Sequence, residues 1–89
     1  MPALAPSSHV FPDGTTPGEM IRFFRSRAGL SQAKLAKLSG CTSQTVKNWE
    51  AGRCPPSALL LATIRQTMGL SRDESRKLVE AVSRLNPYR

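Results

Sequence analysis

The chain is punctuated at short intervals by residues that start and stop helices, and this confines it to a series of short helices. Thr16-Pro17-Gly18-Glu19 supplies an N-cap, a proline at the first helical position and a glutamate at the third, which is a capping box. Ile21, Phe24 and Ala28 follow at helical spacing, with Met20 and Phe23 on the flanks, and Gly29 ends the run. Leu30 precedes Ser31, which opens a second helix with apolar positions at Leu35, Ala36 and Leu38 and a stop at Gly40. Thr42 caps a third, with Val46 and Trp49 inward and Gly52 closing it. Pro55-Pro56 cannot extend that helix and fits the start of a fourth, from about Ser57 to Met68, carrying Leu60, Leu61, Ile64 and Met68. Gly69 ends it. Ser71-Arg72-Asp73-Glu74 repeats the capping box for a fifth, on which Leu78, Val82 and Leu85 form one narrow stripe before Asn86-Pro87. β-branched residues are too scattered for a sheet. The expectation is an all-α, compact five-helix bundle.

Eighty-nine residues suffice for one small domain. Residues 1–15 hold three prolines and no sustained period, and are expected to form a flexible N-terminal arm, with Val10 and Phe11 as the side chains able to dock on the body. Residues 16–70 are expected to form the main domain and residues 71–89 a C-terminal helix. The formal net charge of +7 suits a polyanionic partner: nucleic acid, an acidic membrane surface or an acidic protein. Ordinary solubility charge is the plain alternative. Two cysteines, Cys41 and Cys54, and a single histidine, His9, make no zinc pattern, and no metal or cofactor is expected. Reduced thiols in a cytoplasmic protein are the default. No signal peptide is evident, and no apolar run approaches the ~20 residues of a membrane span. No Ser/His/Asp or metal constellation suggests an enzyme, and capping accounts for Asp73 and Glu74, so no catalytic residue is expected.

The second and third helices, joined by a brief turn at Gly40, satisfy the demands of a helix-turn-helix. Ala36 and Gly40 are small where the helices cross. Val46 and Trp49 anchor the third helix from behind, leaving Ser43, Gln44, Lys47 and Asn48 outward or sideways. In this motif the first helix crosses the DNA backbone and the second lies in the major groove.

LSQAKLAKLSGCTSQTVKNWEAGR resembles the helix-turn-helix of the lambda-repressor and Cro-like family of small phage, plasmid and bacterial transcriptional regulators, over about residues 16–70. Leu30-Ser31-Gln32, Leu35-Ala36, Gly40 and Trp49-Glu50-Ala51-Gly52-Arg53 carry the resemblance. It implies that Gln32 contacts backbone phosphate, in keeping with the free N–H groups and positive partial charge of a helix N-terminus. It implies that Ser43 and Gln44 reach base edges, where a glutamine pairs bidentately with adenine. Lys47 and Asn48 follow a turn later, Lys47 toward guanine or phosphate and Asn48 toward adenine. Arg53 matches a basic residue that grips phosphate, and Thr42 is a cap whose hydroxyl can also touch one. The plain alternatives are solvated first-turn residues at Ser43 and Gln44, and a solvated Lys47. The resemblance further implies a partly buried ion pair between Arg25 and Glu50. Ala51 stands where the family often has a polar residue, so one phosphate contact is expected to be missing. Cys41 replaces a common valine and is expected to pack as a small apolar residue; a Cys41–Cys54 redox pair is the alternative.

Proteins of this type usually dimerise, reading two half-sites ~34 Å apart. The expected homodimer interface is Leu78, Val82 and Leu85, aided by Leu70; the alternative is that this stripe packs on its own chain. The reading is a sequence-specific double-stranded DNA-binding regulator, an autorepressor on an inverted-repeat operator. The rivals are an antitoxin-type protein that also binds a small protein partner, and a non-specific nucleic-acid binder.

Overall fold

The structure, a computed structural model, describes residues 11–85. Five helices follow in order: α1 Pro17–Arg27, α2 Gln32–Ser39, α3 Ser43–Ala51, α4 Ala58–Thr67 and α5 Arg72–Leu85. No strand occurs among the described residues.

Four of the helix starts are fixed by the side chains expected to fix them; α4 instead begins at an N-cap on Ser57, with Pro55-Pro56 ahead of the helix rather than in its first turn. The Thr16 N–H donates to Glu19 Oε1 at 2.9 Å, and Thr16 Oγ1 accepts from the Glu19 N–H at 3.1 Å. Ser31, Thr42 and Ser57 each accept from the N–H three residues on, at 3.0, 3.2 and 3.3 Å. The second capping box closes with Ser71 N–H on Glu74 Oε1 at 3.0 Å and Glu74 N–H on Ser71 Oγ at 3.2 Å. Each cap satisfies donors that the first helical turn leaves unpaired.

Ile21, Phe24, Leu35, Val46, Ile64 and Leu78 are fully buried and form one core with Met20, Ala36, Trp49, Leu61, Met68, Ala81 and Val82. Two of the expected apolar positions are corrected. Leu38 is 51% exposed rather than inward, because the face of α2 turned to the core carries Leu35, Ala36 and Ser39. Ala28 is the exposed C-cap of α1, and Met20 takes the buried place beside Ile21 and Phe24.

Gly40 differs from expectation in its reason for being glycine. A Cβ there would meet nothing within 4 Å, so no helix crowds it; its φ of +80° requires the left-handed conformation that ends α2. The close approach lies elsewhere. At Gly18 a Cβ would stand 2.5 Å from the Trp49 carbonyl oxygen and 2.7 Å from that of Glu50. The first turn of α1 therefore rests directly on the C-terminal backbone of α3.

The C-terminal helix is part of the same core. It packs on α1, with Leu78, Ala81 and Val82 buried. Glu74, 1% exposed, accepts from both terminal guanidinium nitrogens of Arg27, Nη1 and Nη2, at 2.6 and 2.8 Å. The Arg27 guanidinium also lies over the rings of Phe23 and Phe24, 5.8 and 5.1 Å from their centroids. Phe11 packs edge-on against the same two rings at 5.5 and 5.4 Å, so the chain is seated on the body from residue 11 onward. The rest of the expected arm, including His9 and Val10, lies outside the described residues.

Candidate nucleic-acid interface

The turn 40–42 sets α3 across α2. Val46 and Trp49, on one face of α3, are buried, and this fixes which residues face away. Gln44 is exposed and donates from Nε2 to Asn48 Oδ1 at 3.1 Å, one turn along the helix. The same oxygen accepts from Arg53 Nη1 at 3.2 Å. Gln44, Asn48 and Arg53 thus form one ridge of amide and guanidinium groups, with half-buried Ser43 at the first position of the helix. The two amides both donate and accept, the property that base edges in the major groove select, and the Arg53 guanidinium donates only.

Behind this ridge lies a network that locks α3 to α1 and α2. Arg25 Nε donates to Glu50 Oε2 at 2.6 Å, Nη2 to Oε1 at 3.2 Å, and Nη1 to the Leu30 carbonyl at 2.9 Å. Gln32 Nε2 donates to Glu50 Oε1 at 2.9 Å. The Arg25 and Glu50 side chains are only 14% and 7% exposed. The charges are paired and hydrogen-bonded on both sides, the condition under which burial is tolerated. The structure thus brings Arg25 and Glu50 together and adds Gln32 to them. The Gln32 side-chain nitrogen is engaged inward; what α2 offers an anion at this end is its backbone N–H groups.

Lys47 is exposed but stands apart from the ridge. It lines an open notch with Arg22, Arg25, Gln32, Glu50 and Ala51. The Thr42 hydroxyl caps the Thr45 N–H and shares a hydrogen bond of 3.0 Å with Thr45 Oγ1. Cys41 is half-buried and Cys54 exposed, and both are free thiols. Burial pushes the Cys41 thiol up from its usual range, which suits packing rather than reactivity. Leu78 and Val82 are 0% and 8% exposed and face the chain's own core, whereas the Leu85 side chain lies outside the described part.

Three of these features escaped sequence reasoning. The shared acceptor at Asn48 has a faint signal in the i, i+4 spacing from Gln44. The Gln32–Glu50 bond and the place of Arg22 in the notch depend on how three helices converge, and no local pattern shows that. Among the described residues, no group of three His, Cys, Asp or Glu side chains can hold a metal ion. No described helix is long and apolar enough to cross a membrane.

A comparison with family models matches residues 18–78 to the Helix-turn-helix domain. No curated protein and no solved structure matches the chain. The matched span runs from the first turn of α1 into α5 and contains the α2–turn–α3 unit, the locking network and the outward ridge. The chain belongs to the helix-turn-helix domain family of DNA-binding proteins.

Proposed function

We propose that this protein is a sequence-specific regulator of transcription that inserts α3 into the major groove of double-stranded DNA. The observation that carries the reading is the Gln44–Asn48–Arg53 ridge, preformed along α3 and just past its cap, with Val46 and Trp49 buried on the opposite face of the helix. Ser43, Gln44 and Asn48 read base edges, and Arg53 grips a phosphate at the end of the helix. Thr42 and the N-terminus of α2 at Gln32 hold the phosphates on the other side.

One recognition helix covers few base pairs, so two copies act together on half-sites about one turn apart, ~34 Å, within an inverted repeat. Leu78 and Val82 are already engaged in the core of each copy, so the contact between copies uses other surface. A pair bound across a promoter excludes polymerase, which makes the protein a repressor, and the simplest target is the DNA upstream of its own coding sequence. Selection from randomised duplexes, followed by footprinting of the upstream DNA, tests this reading. The expected result is one enriched motif with two-fold symmetry and a protected repeat. Enrichment of no motif overturns it.

A further inference from the structure

The notch of about 470 Å³ between α1, α2 and α3 is lined by Arg22, Arg25, Gln32, Lys47, Glu50 and Ala51. Three cations face one carboxylate there. Arg25 and Glu50 neutralise each other through their two-point contact. That leaves two positive charges, Arg22 and Lys47, uncompensated. Both are exposed, they come from different helices, and neither side chain makes a hydrogen bond or ion pair with a described residue. The Glu50 carboxylate is itself covered by Arg25 and Gln32, so it does not offer a free acceptor that would draw Arg22 or Lys47 inward. Ala51 contributes no polar group to the wall it forms. The notch also opens beside the N-terminus of α2, whose unpaired N–H groups and dipole add positive potential.

We infer that the notch is an anion site for one phosphodiester of the DNA backbone, held by Arg22 from α1 and Lys47 from α3. This deepens, and rests on, the reading of α3 as the groove-entering helix. It takes Lys47 out of base readout and gives Arg22, which no motif singled out, a direct part in binding. Arg22 supplies the planar two-point donor set that suits a phosphate, and Lys47 a mobile point charge opposite it. Because Arg25 lies in the same wall, already fixed on Glu50, the phosphate also registers the network that orients α3. Contact at this point sets the depth and angle of α3 without regard to sequence.

The test is the salt dependence of duplex binding by Arg22→Gln, Lys47→Gln and Arg84→Gln, each checked for an unchanged helical signal and melting temperature. Arg84 is exposed and lines a different groove, between residues 11–15 and α5, so it controls for the loss of one charge. Each protein is titrated with its selected duplex and with a scrambled one. For Arg22→Gln and Lys47→Gln the slope of log affinity against log salt is expected to become shallower by about one, equally on both duplexes. Arg84→Gln is expected to keep the wild-type slope. Unchanged slopes at Arg22 and Lys47, with tight wild-type binding, overturn the site and leave the groove-entry reading standing. An equal loss at Arg84 also overturns it, since general charge then suffices. A Lys47→Gln loss confined to the selected duplex returns that residue to base readout and overturns the site. Wild-type protein that binds neither duplex overturns this inference and the proposed function together.

Discussion

Glu50 of α3 and Arg25 of α1 meet at two points, Nε to Oε2 at 2.6 Å and Nη2 to Oε1 at 3.2 Å. The contact spans twenty-five residues of sequence and lies directly behind the helix that carries the ridge. Its geometry ties the angle of α3 to α1, and Gln32 ties the same carboxylate to α2.

Replacing Glu50 by Gln leaves the Arg25 guanidinium in a largely buried place without its counter-charge. The expected cost is about 1–3 kcal/mol in chemical denaturation, below the full penalty for a completely buried pair because Arg25 keeps some contact with water. Replacing both partners by apolar residues of similar size is expected to recover most of that loss. A Glu50→Gln protein as stable as the wild type would show that the pair only decorates the surface.

Gly18→Ala separates helix propensity from packing. Alanine inside a helix ordinarily gains about 1 kcal/mol over glycine. Here the added methyl would press on the Trp49 and Glu50 carbonyl oxygens, which are backbone and cannot swing aside. The expected outcome is therefore destabilisation, by more than about 1 kcal/mol, with α1 displaced from α3. A stabilised variant would contradict the close approach.

Much of the scaffold is legible in the sequence because it is local. Thr16 with Glu19, Ser71 with Glu74, and the caps at Ser31, Thr42 and Ser57 act within one turn, so their pattern is written in consecutive residues. Val46 and Trp49 could be assigned inward because the spacing of three within a short, well-capped helix leaves little choice of face. Leu38 and Ala28 are exposed for the complementary reason: helical spacing marks a stripe, but the neighbouring helices decide how wide a stripe is covered. Gly18, the Arg27–Glu74 pair and the Gln32–Glu50 bond depend on which helices meet, and such contacts over long sequence separations leave no periodic trace. The division of the charged surface into a ridge and a notch was hidden likewise. Lys47 and Asn48 are adjacent in sequence, yet Asn48 joins Gln44 and Arg53 whereas Lys47 joins Arg22.

Leu78→Ala tests the place of α5. Its side chain is fully buried in the common core, so truncation is expected to cost on the order of 2–5 kcal/mol. That loss appears in the stability of each copy and does not depend on protein concentration. A strong concentration dependence of the wild-type melting temperature, abolished by this substitution alone, would instead place Leu78 between copies.

The two thiols are expected to differ in reactivity. Cys54 is exposed, while Cys41 is half-buried and its thiol is pushed up by desolvation, so less thiolate forms at neutral pH. At Cys41 a raised folded value favours the protonated folded form, so its contribution to stability is complete at neutral pH and fades only as the pH rises through that value. Alkylation at neutral pH should label Cys54 first and Cys41 slowly. Equal rates would show that Cys41 is not packed in the turn between α2 and α3.

The most direct test of α3 as the reading helix is the affinity of wild type and Gln44→Ala for the selected duplex and for a scrambled one, at one fixed salt concentration. Gln44 is exposed, and among the described residues its side chain bonds only along its own helix, so its truncation leaves the fold intact. The expected result is a loss of about 1–3 kcal/mol on the selected duplex and almost none on the scrambled one. Equal losses on both duplexes, or a wild type that binds the two alike, would contradict sequence reading by α3.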